Sequence, residues 1–290
     1  MSLKGKTIFM SGGSRGIGLA IAKRAAQDGA NIAIAAKTSE PHPKLPGTIY
    51  TAAKNIEAAG GQALPLICDI RRDDQVEAAI DETLKRFGGI DICINNASAI
   101  SLTNTPLTTM KRYDLMNQVN ARGTFLLSKL CLPYLKESAH AHILTLSPPL
   151  DMSPKWFKNH TAYSIAKYGM SLCTLGMAEE FRAFGIGVNS LWPLTAINTA
   201  AVKNVLGGET MASRSRMPDI LSDAAHYILS QDPREVSGNF FIDELVLRAA
   251  GVSDFSKYSP GYDGPLIGDF FVPDDVFEAV PTKVLRFPGS

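Results

Sequence analysis

A regular alternation of short apolar runs with helical stretches constrains this chain most, because the first run ends directly in a glycine-rich loop. Thr7–Ser11 reads as an apolar strand, Gly12-Gly13-Ser14-Arg15-Gly16-Ile17-Gly18 follows at once, and Ile17–Asp28 has helical periodicity closed by Gly29. The pattern then repeats. Strands are expected at Asn31–Ala36, Ala63–Asp69, Asp91–Asn95, His142–Ser147, Gly187–Leu191 and Asn239–Ile242. Between them lie helical patterns at Thr48–Ala59, Asp73–Phe87, a long or broken stretch Leu107–Leu135, Ala162–Phe184 and Asp219–Ser230. The apolar runs are continuous, as strands covered on both faces require. Strand–helix–strand units close in a right-handed sense, so the chain is expected to form an α/β, doubly wound parallel sheet of about seven strands with helices on both faces. Residues 1–245 would make this domain. Residues 246–290, rich in Pro, Gly and aromatic side chains, read as an extension packed on the same domain or on a neighbouring subunit.

A chain of 290 residues is long enough to bury a sizeable core in one large domain. Its formal net charge is +1, with acids and bases interspersed, which gives no support for nucleic-acid binding or a membrane-surface role. Cys68, Cys93, Cys131 and Cys173 stand singly in apolar runs without metal-ligand spacing, so free thiols in a reducing compartment are expected and no metal is. No apolar run reaches membrane-span length. Phe287-Pro288-Gly289-Ser290 is not a peroxisomal tripeptide, and a cytoplasmic location is the expectation.

Two stretches carry chemistry. In the glycine loop, Gly12, Gly16 and Gly18 would allow the tight turn, close approach to a pyrophosphate and close helix–strand packing. The helix that starts there would offer free N–H groups and a positive dipole end to phosphates. After the second strand, Ala35-Ala36-Lys37-Thr38 holds no acid until Glu40. An acid there would bind a free ribose 2′-hydroxyl, whereas Lys37, with Arg15 as a second cation, suits a 2′-phosphate and so NADP(H) over NAD(H). A solvated strand end is the plainer account of Lys37, and a solvated loop that of His42 and Lys44. The second stretch is Tyr163-Ser164-Ile165-Ala166-Lys167. Positions four apart share one helix face, and a lysine cation beside a phenol, whose ordinary pKa is about 10, favours the phenolate.

Taken in order, Ser11 to Gly18, Asp69, Asn95-Asn96-Ala97-Ser98, Asn120, and Tyr163 with Lys167 resemble the short-chain dehydrogenase/reductase family over roughly Leu3 to Asp243. The resemblance implies a Rossmann fold and a nicotinamide cofactor. It implies that Ser14, Arg15, Ile17 and the loop glycines meet the cofactor, that Asp69 meets its adenine, and that the Asn96-Ala97 backbone lines it. It further implies Tyr163 as general acid or base, Lys167 on the nicotinamide ribose, and Asn120 as holder of a proton-relay water; a helix-interrupting hydrogen-bonder is the plainer account of Asn120.

Three departures stand out. Ser98 replaces a glycine. Pro148 occupies the place where members carry the carbonyl-polarising serine, leaving Ser147 or Ser153 as candidates for that task. Pro193-Leu194 replaces Pro-Gly, so cofactor contacts from Pro193, Thr195, Ile197 and Thr199 are expected only in outline. Met152, Trp156, Phe157, Trp192 and Leu194 suggest an apolar pocket for a lipophilic carbonyl or alcohol, each being equally suited to core packing. Reduction of an activated C=C bond and a catalytically weak nucleotide sensor stay open as alternatives. The apolar stretches Leu107–Leu135 and Ala162–Phe184 suggest a homodimer or homotetramer.

Overall fold

The computed structural model describes residues 2–42, 45–259 and 261–286; Lys44 and the tetrapeptide 287–290 lie outside them. Strands β1 (Thr7–Ser11), β2 (Asn31–Ala36), β3 (Gln62–Ile67), β4 (Ile92–Asn95), β5 (His142–Thr145), β6 (Gly187–Trp192) and β7 (Phe240–Ile242) form one sheet in the order 3-2-1-4-5-6-7. Every pairing in it is parallel. The connecting helices are α1 (Gly16–Ala26), α2 (Ile49–Ala58), α3 (Asp73–Phe87), α4 (Met110–Asn117), α5 (Gly123–Leu135), α6 (Thr161–Glu180), α7 (Gly208–Ser213) and α8 (Asp219–Leu229). This is the doubly wound sheet expected from the alternation.

Side chains that alternate along each strand explain why the runs are apolar throughout. Ile8, Met10, Ile32 and Ile34 enter a core with Ile21 and Ala25 of α1 and Leu221 and Ile228 of α8. Phe9, Ala33, Cys93 and Val188 enter a second core, with Val76 and Ile80 of α3, Leu127 and Cys131 of α5 and Met177 of α6. Both faces of the sheet are therefore desolvated, and a polar residue mid-strand would be stranded on either side.

The strand order reverses direction between β1 and β4, and their register sets Ser11 level with Asn95 and with Ala35 of β2. Such a switch point opens a crevice at the carboxyl ends of the strands. The expected stretch Leu107–Leu135 is a broken one. Helix α4 widens into a π turn over Gln118–Arg122 before α5 begins, and the turn carries Asn120. π turns lodge an extra residue in a helix and are found mostly at functional sites.

The region after β7 does not leave the α/β pattern at once: helix α9 (Asp243–Ala249) follows directly and packs beside α8. Further on, β8 (Leu266–Ile267) pairs in parallel with β9 (Val284–Leu285) around the short helix α10 (Asp274–Glu278). A buried ionic knot ties this region down. Glu244, fully buried, takes Arg216 at 2.5 Å and Arg248 at 2.5 Å, and the Thr282 hydroxyl donates to its carboxylate at 2.7 Å. Removing one member of such a buried set leaves an uncompensated charge and costs about 3–5 kcal/mol.

Candidate active site

At the switch point the backbone itself forms a cradle. Gly12 has φ +76°, and a Cβ there would lie 2.8 Å from Ala97 Cα. A Cβ on Gly18 would meet Asn96 Nδ2 at 2.5 Å and the Gly12 carbonyl oxygen at 2.8 Å, so neither position accepts a side chain. Asn96 stitches the loop to β4: its Nδ2 donates to the Gly12 carbonyl at 2.8 Å, and its backbone N–H and that of Ala97 each donate to Ser11 Oγ at 3.2 Å. Arg15 is the N-cap of α1, which has no side-chain cap and no acid in its first turn. The free N–H groups and positive helix end thus face the loop, an arrangement that fits the phosphates of a dinucleotide. Asn95, one residue earlier, turns inward and donates to Ser128 Oγ at 2.9 Å.

Cations gather at the end of β2 and β3. Lys37, largely exposed, stands 3.8 Å from Asp69. Arg71 grips the same carboxylate with two nitrogens, Nε to Oδ1 at 2.9 Å and Nη2 to Oδ2 at 2.5 Å. Those bonds hold the Asp69 carboxyl well below its ordinary range, at about 2. Arg15 is partly committed elsewhere, donating from Nη2 to the Gly47 carbonyl at 2.8 Å and from Nε to that of Pro46 at 3.1 Å. Arg71 was not among the residues singled out from sequence; an arginine two positions after Asp69 in a loop has no periodicity to mark it.

Tyr163 and Lys167 lie one turn apart on α6, and both are buried. The Lys167 ammonium donates to the Leu146 carbonyl at 2.6 Å and lies 4.7 Å from the centre of the Trp192 ring. Burial pulls its pKa down to about 7, and the Asp269 carboxylate acts in the opposite direction. Burial raises the Tyr163 phenol well above its usual value, and Asp269 adds to that rise. Asn120 is fully buried and uses its whole amide on one residue, accepting the Ala99 N–H at 2.7 Å and donating to the Ala99 carbonyl at 3.0 Å. That clamp fixes the loop after β4 against the π turn.

Ser147 is placed differently from Tyr163. Its Oγ, fully buried, bonds Ser190 Oγ at 2.8 Å, which in turn donates to Thr174 Oγ1 at 2.8 Å. The hydroxyl is therefore part of a chain inside the fold. Pro148, also buried, lends its carbonyl to Ser171 Oγ at 2.7 Å. Ser153 lies further along the loop, partly exposed, its N–H on Asp151 Oδ1 at 2.9 Å.

Of the side chains expected in an apolar pocket, Trp156, Trp192 and Leu194 are buried in one cluster with Tyr163, and Phe157 packs at its edge; Met152 instead is exposed. The same cluster contains Phe270, Phe271 and Val272 from the chain's last quarter. This segment is zipped to the loop after β6: the Ala196 N–H donates to the Ile267 carbonyl at 2.8 Å, and the Asp269 N–H to that of Leu194 at 3.0 Å. Thr195 bridges Gly268 of the extension and Ile197 bridges Arg216, and both Thr195 and Ile197 are buried. The Phe271 ring lies 6.0 Å from those of Tyr163 and Trp192 and 5.3 Å from that of Tyr168. Nothing in the sequence pattern pointed to these contacts, which join residues far apart in the chain.

Comparison with known proteins agrees with this fold. A family model described as short chain dehydrogenase matches residues 6–209. Hydroxysteroid dehydrogenase-like protein 2 of Xenopus tropicalis is 59% identical over 97% of this chain and 67% of its own length. Among curated relatives of that name the covered share falls as low as 53%, in the rat protein, so the chain spans between about half and two thirds of them. A solved putative dehydrogenase from Xanthomonas campestris is 52% identical, with a TM-score of 0.91 over 94% of this chain and 100% of that one. A solved short chain dehydrogenase from Mycobacterium thermoresistibile is 55% identical, with a TM-score of 0.88 over 94% and 96%. A share of 94% is more than residues 1–245 alone could supply, so the likeness takes in part of the extension.

Proposed function

The chain belongs to the short-chain dehydrogenase family, and on that premise we propose that it is an NADP(H)-dependent oxidoreductase acting on a lipophilic carbonyl or alcohol. The observation that carries the reading is the pairing of Tyr163 and Lys167, both buried and one helical turn apart on α6. The cradle fits the cofactor because Gly12 and Gly18 leave no room for a Cβ and the helix start is uncapped. Gly12, Ser14, Gly16, Ile17 and Gly18 would hold the pyrophosphate, Asp69, Asn96 and Ala97 the adenosine side and loop, and Lys167 the nicotinamide ribose. Pro193, Thr195 and Ile197 would border the nicotinamide from the loop after β6. When bound, the nicotinamide supplies or accepts the hydride.

Tyr163 Oη gives its proton to the carbonyl oxygen as that oxygen becomes an alcohol, and takes one in the reverse direction. Lys167 lowers the cost of the resulting phenolate, and Asn120, whose amide is committed to Ala99, would serve proton supply to Lys167 by fixing the π turn. Ser147, with its hydroxyl on Ser190, supports the end of β5, and the donor that polarises the substrate comes from elsewhere. Cations at Lys37, Arg15 and Arg71 favour the 2′-phosphate, and Trp156, Trp192, Leu194 and Phe271 favour an apolar substrate. The free cysteines fit a reducing compartment, for which the cytoplasm is our reading; fractionation into an organelle would overturn it.

Binding titrations with NADPH and NADH in parallel, followed by turnover with aldehydes, ketones and enoyl thioesters, test the assignment. Tyr163→Phe is expected to keep NADPH affinity within about threefold and to lower kcat by about 10³ or more. Retained turnover in that variant would sink it. One observation favours a second reading, a nucleotide-binding sensor: Pro148 can offer neither hydroxyl nor N–H, and the Ser147 hydroxyl is already engaged. Tight NADPH binding with no turnover on any of the three substrate groups would establish that reading instead.

A further inference from the structure

The loop after β6 and the segment 266–272 hold the Asp269 carboxylate in the neighbourhood of the Tyr163–Lys167 pair. Asp269 is placed by backbone on both sides: its N–H donates to the Leu194 carbonyl at 3.0 Å, and its Oδ1 accepts the Phe270 N–H at 2.7 Å. The next link is Trp192, whose Nε1–H donates to the Phe270 carbonyl at 2.7 Å while its ring face lies 4.7 Å from the Lys167 ammonium. Phe271 completes the frame against the Tyr163 ring. One short segment thus touches the lysine's aromatic partner through Phe270 and the tyrosine through Phe271, the two residues that follow Asp269.

Lys167 needs such a group. The residue is 2% exposed, and its ammonium's hydrogen-bond partners are a carbonyl oxygen and, at 3.4 Å, the Met170 sulfur, so no carboxylate, Asp269 included, forms an ion pair with it among the described residues. We propose that Asp269 is a positioning residue of the site, acting on the Lys167 ammonium and on Tyr163 from beyond ion-pair distance as their nearby negative charge, and so poising the pair to give a proton rather than take one. The proposal rests on the acid–base assignment of Tyr163 and Lys167 made above.

The surroundings of Asp269 bear on its charge. Lys167 and Tyr163 on α6 come under its charge. Asp243, the first residue of α9, acts on it as a second negative charge, with Arg216 acting on Asp243 in turn. His160 lies against the Phe270 ring at 5.1 Å. Burial raises the Asp269 carboxyl to about 7, while the Phe270 N–H and Lys167 pull it down against Asp243. A negative charge in this position holds protons on every neighbour, so its removal should lower the pKa of both Lys167 and Tyr163.

Asp269→Asn tests this with little change of shape, since the amide oxygen can still accept the Phe270 N–H. The first readout is independent of activity: titration of the Lys167 ε-carbon by NMR in protein made with ¹³C-labelled lysine, the signal identified by its loss in Lys167→Met. Asp269→Asn is expected to move that titration down by about one pH unit, and Asp269→Glu to restore most of it. The second readout is the alkaline limb of kcat/KM for reduction, expected to move to lower pH in the same variant, with NADPH affinity held within about threefold. A merely structural role for Asp269 would lower kcat without moving either curve, and an unmoved Lys167 titration in Asp269→Asn would overturn the proposal. Turnover retained in Tyr163→Phe would remove the acid–base reading alone, because the lysine titration reports the action of the Asp269 charge without it.

Discussion

Lys37 tests cofactor choice at the level of one side chain. It extends largely into solvent from the end of β2, 3.8 Å from Asp69, with Arg71 fixed on the same carboxylate. A 2′-phosphate placed there would meet a cation, and a bare ribose would find Lys37 where the end of β2 would need an acid, the nearby Asp69 being held by Arg71. Lys37→Glu is therefore expected to weaken NADPH binding about 10²-fold and to strengthen NADH binding, as measured by calorimetry with each nucleotide. Equal losses for both nucleotides would remove the 2′-phosphate from the argument. Residues of this kind were legible in the sequence because their neighbours define them: Gly12 and Gly18 by the strand before them, Tyr163 and Lys167 by a four-residue spacing that only a helix makes meaningful. Ser147 was not legible in the same way. Its position after β5 is apparent from the chain, but whether its hydroxyl faces a substrate or Ser190 depends on β6, which joins the sheet more than forty residues later.

Among the elements, α3 spans the residues expected of it, with Asp73 and Asp74 in its first turn and Gly88 in the left-handed conformation just past its end. Local charge and backbone chemistry suffice for such a helix. The π turn of Gln118–Arg122 was visible only as an ambiguity in a long helical pattern, since the extra residue is stabilised by the Asn120–Ala99 clamp and not by composition. The segment 266–272 was invisible as a site element, because its partners are β6, its following loop and α6. Phe271 is the residue that seats it. The ring is fully buried against Trp156, Tyr163, Tyr168 and Trp192, and its backbone is held at φ +66°, where side chains other than glycine are disfavoured. Truncation by Phe271→Ala is expected to cost about 3–5 kcal/mol in urea unfolding and to raise KM for large apolar substrates more than for small ones. Destabilisation below about 1 kcal/mol would mean that the segment does not depend on this contact.

At the scale of the whole molecule, α5 and α6 leave apolar side chains in solvent: Phe125 is 54% exposed, Leu172 57% and Leu175 51%. Exposed apolar residues grouped on long helices of this kind suit association between copies, and we propose a homodimer or homotetramer built on them. The double substitution Leu172→Glu with Leu175→Glu is expected to halve the mass seen by sedimentation, or to halve it twice, without loss of fold by circular dichroism. An unchanged mass would place the interface elsewhere.

The knot of Arg216, Glu244 and Thr282, together with the seat of Phe271, also bears on how the protein is made. The glycine cradle, Tyr163 and Lys167 all precede the segment 266–272 in the chain and so leave the ribosome before it. The wall that lines the chemical end of the site, and the last partner of Glu244, are translated well after them. A nascent chain should therefore acquire the means to hold its cofactor before the means to use it, with acid–base competence arriving only as the segment 266–286 emerges and docks.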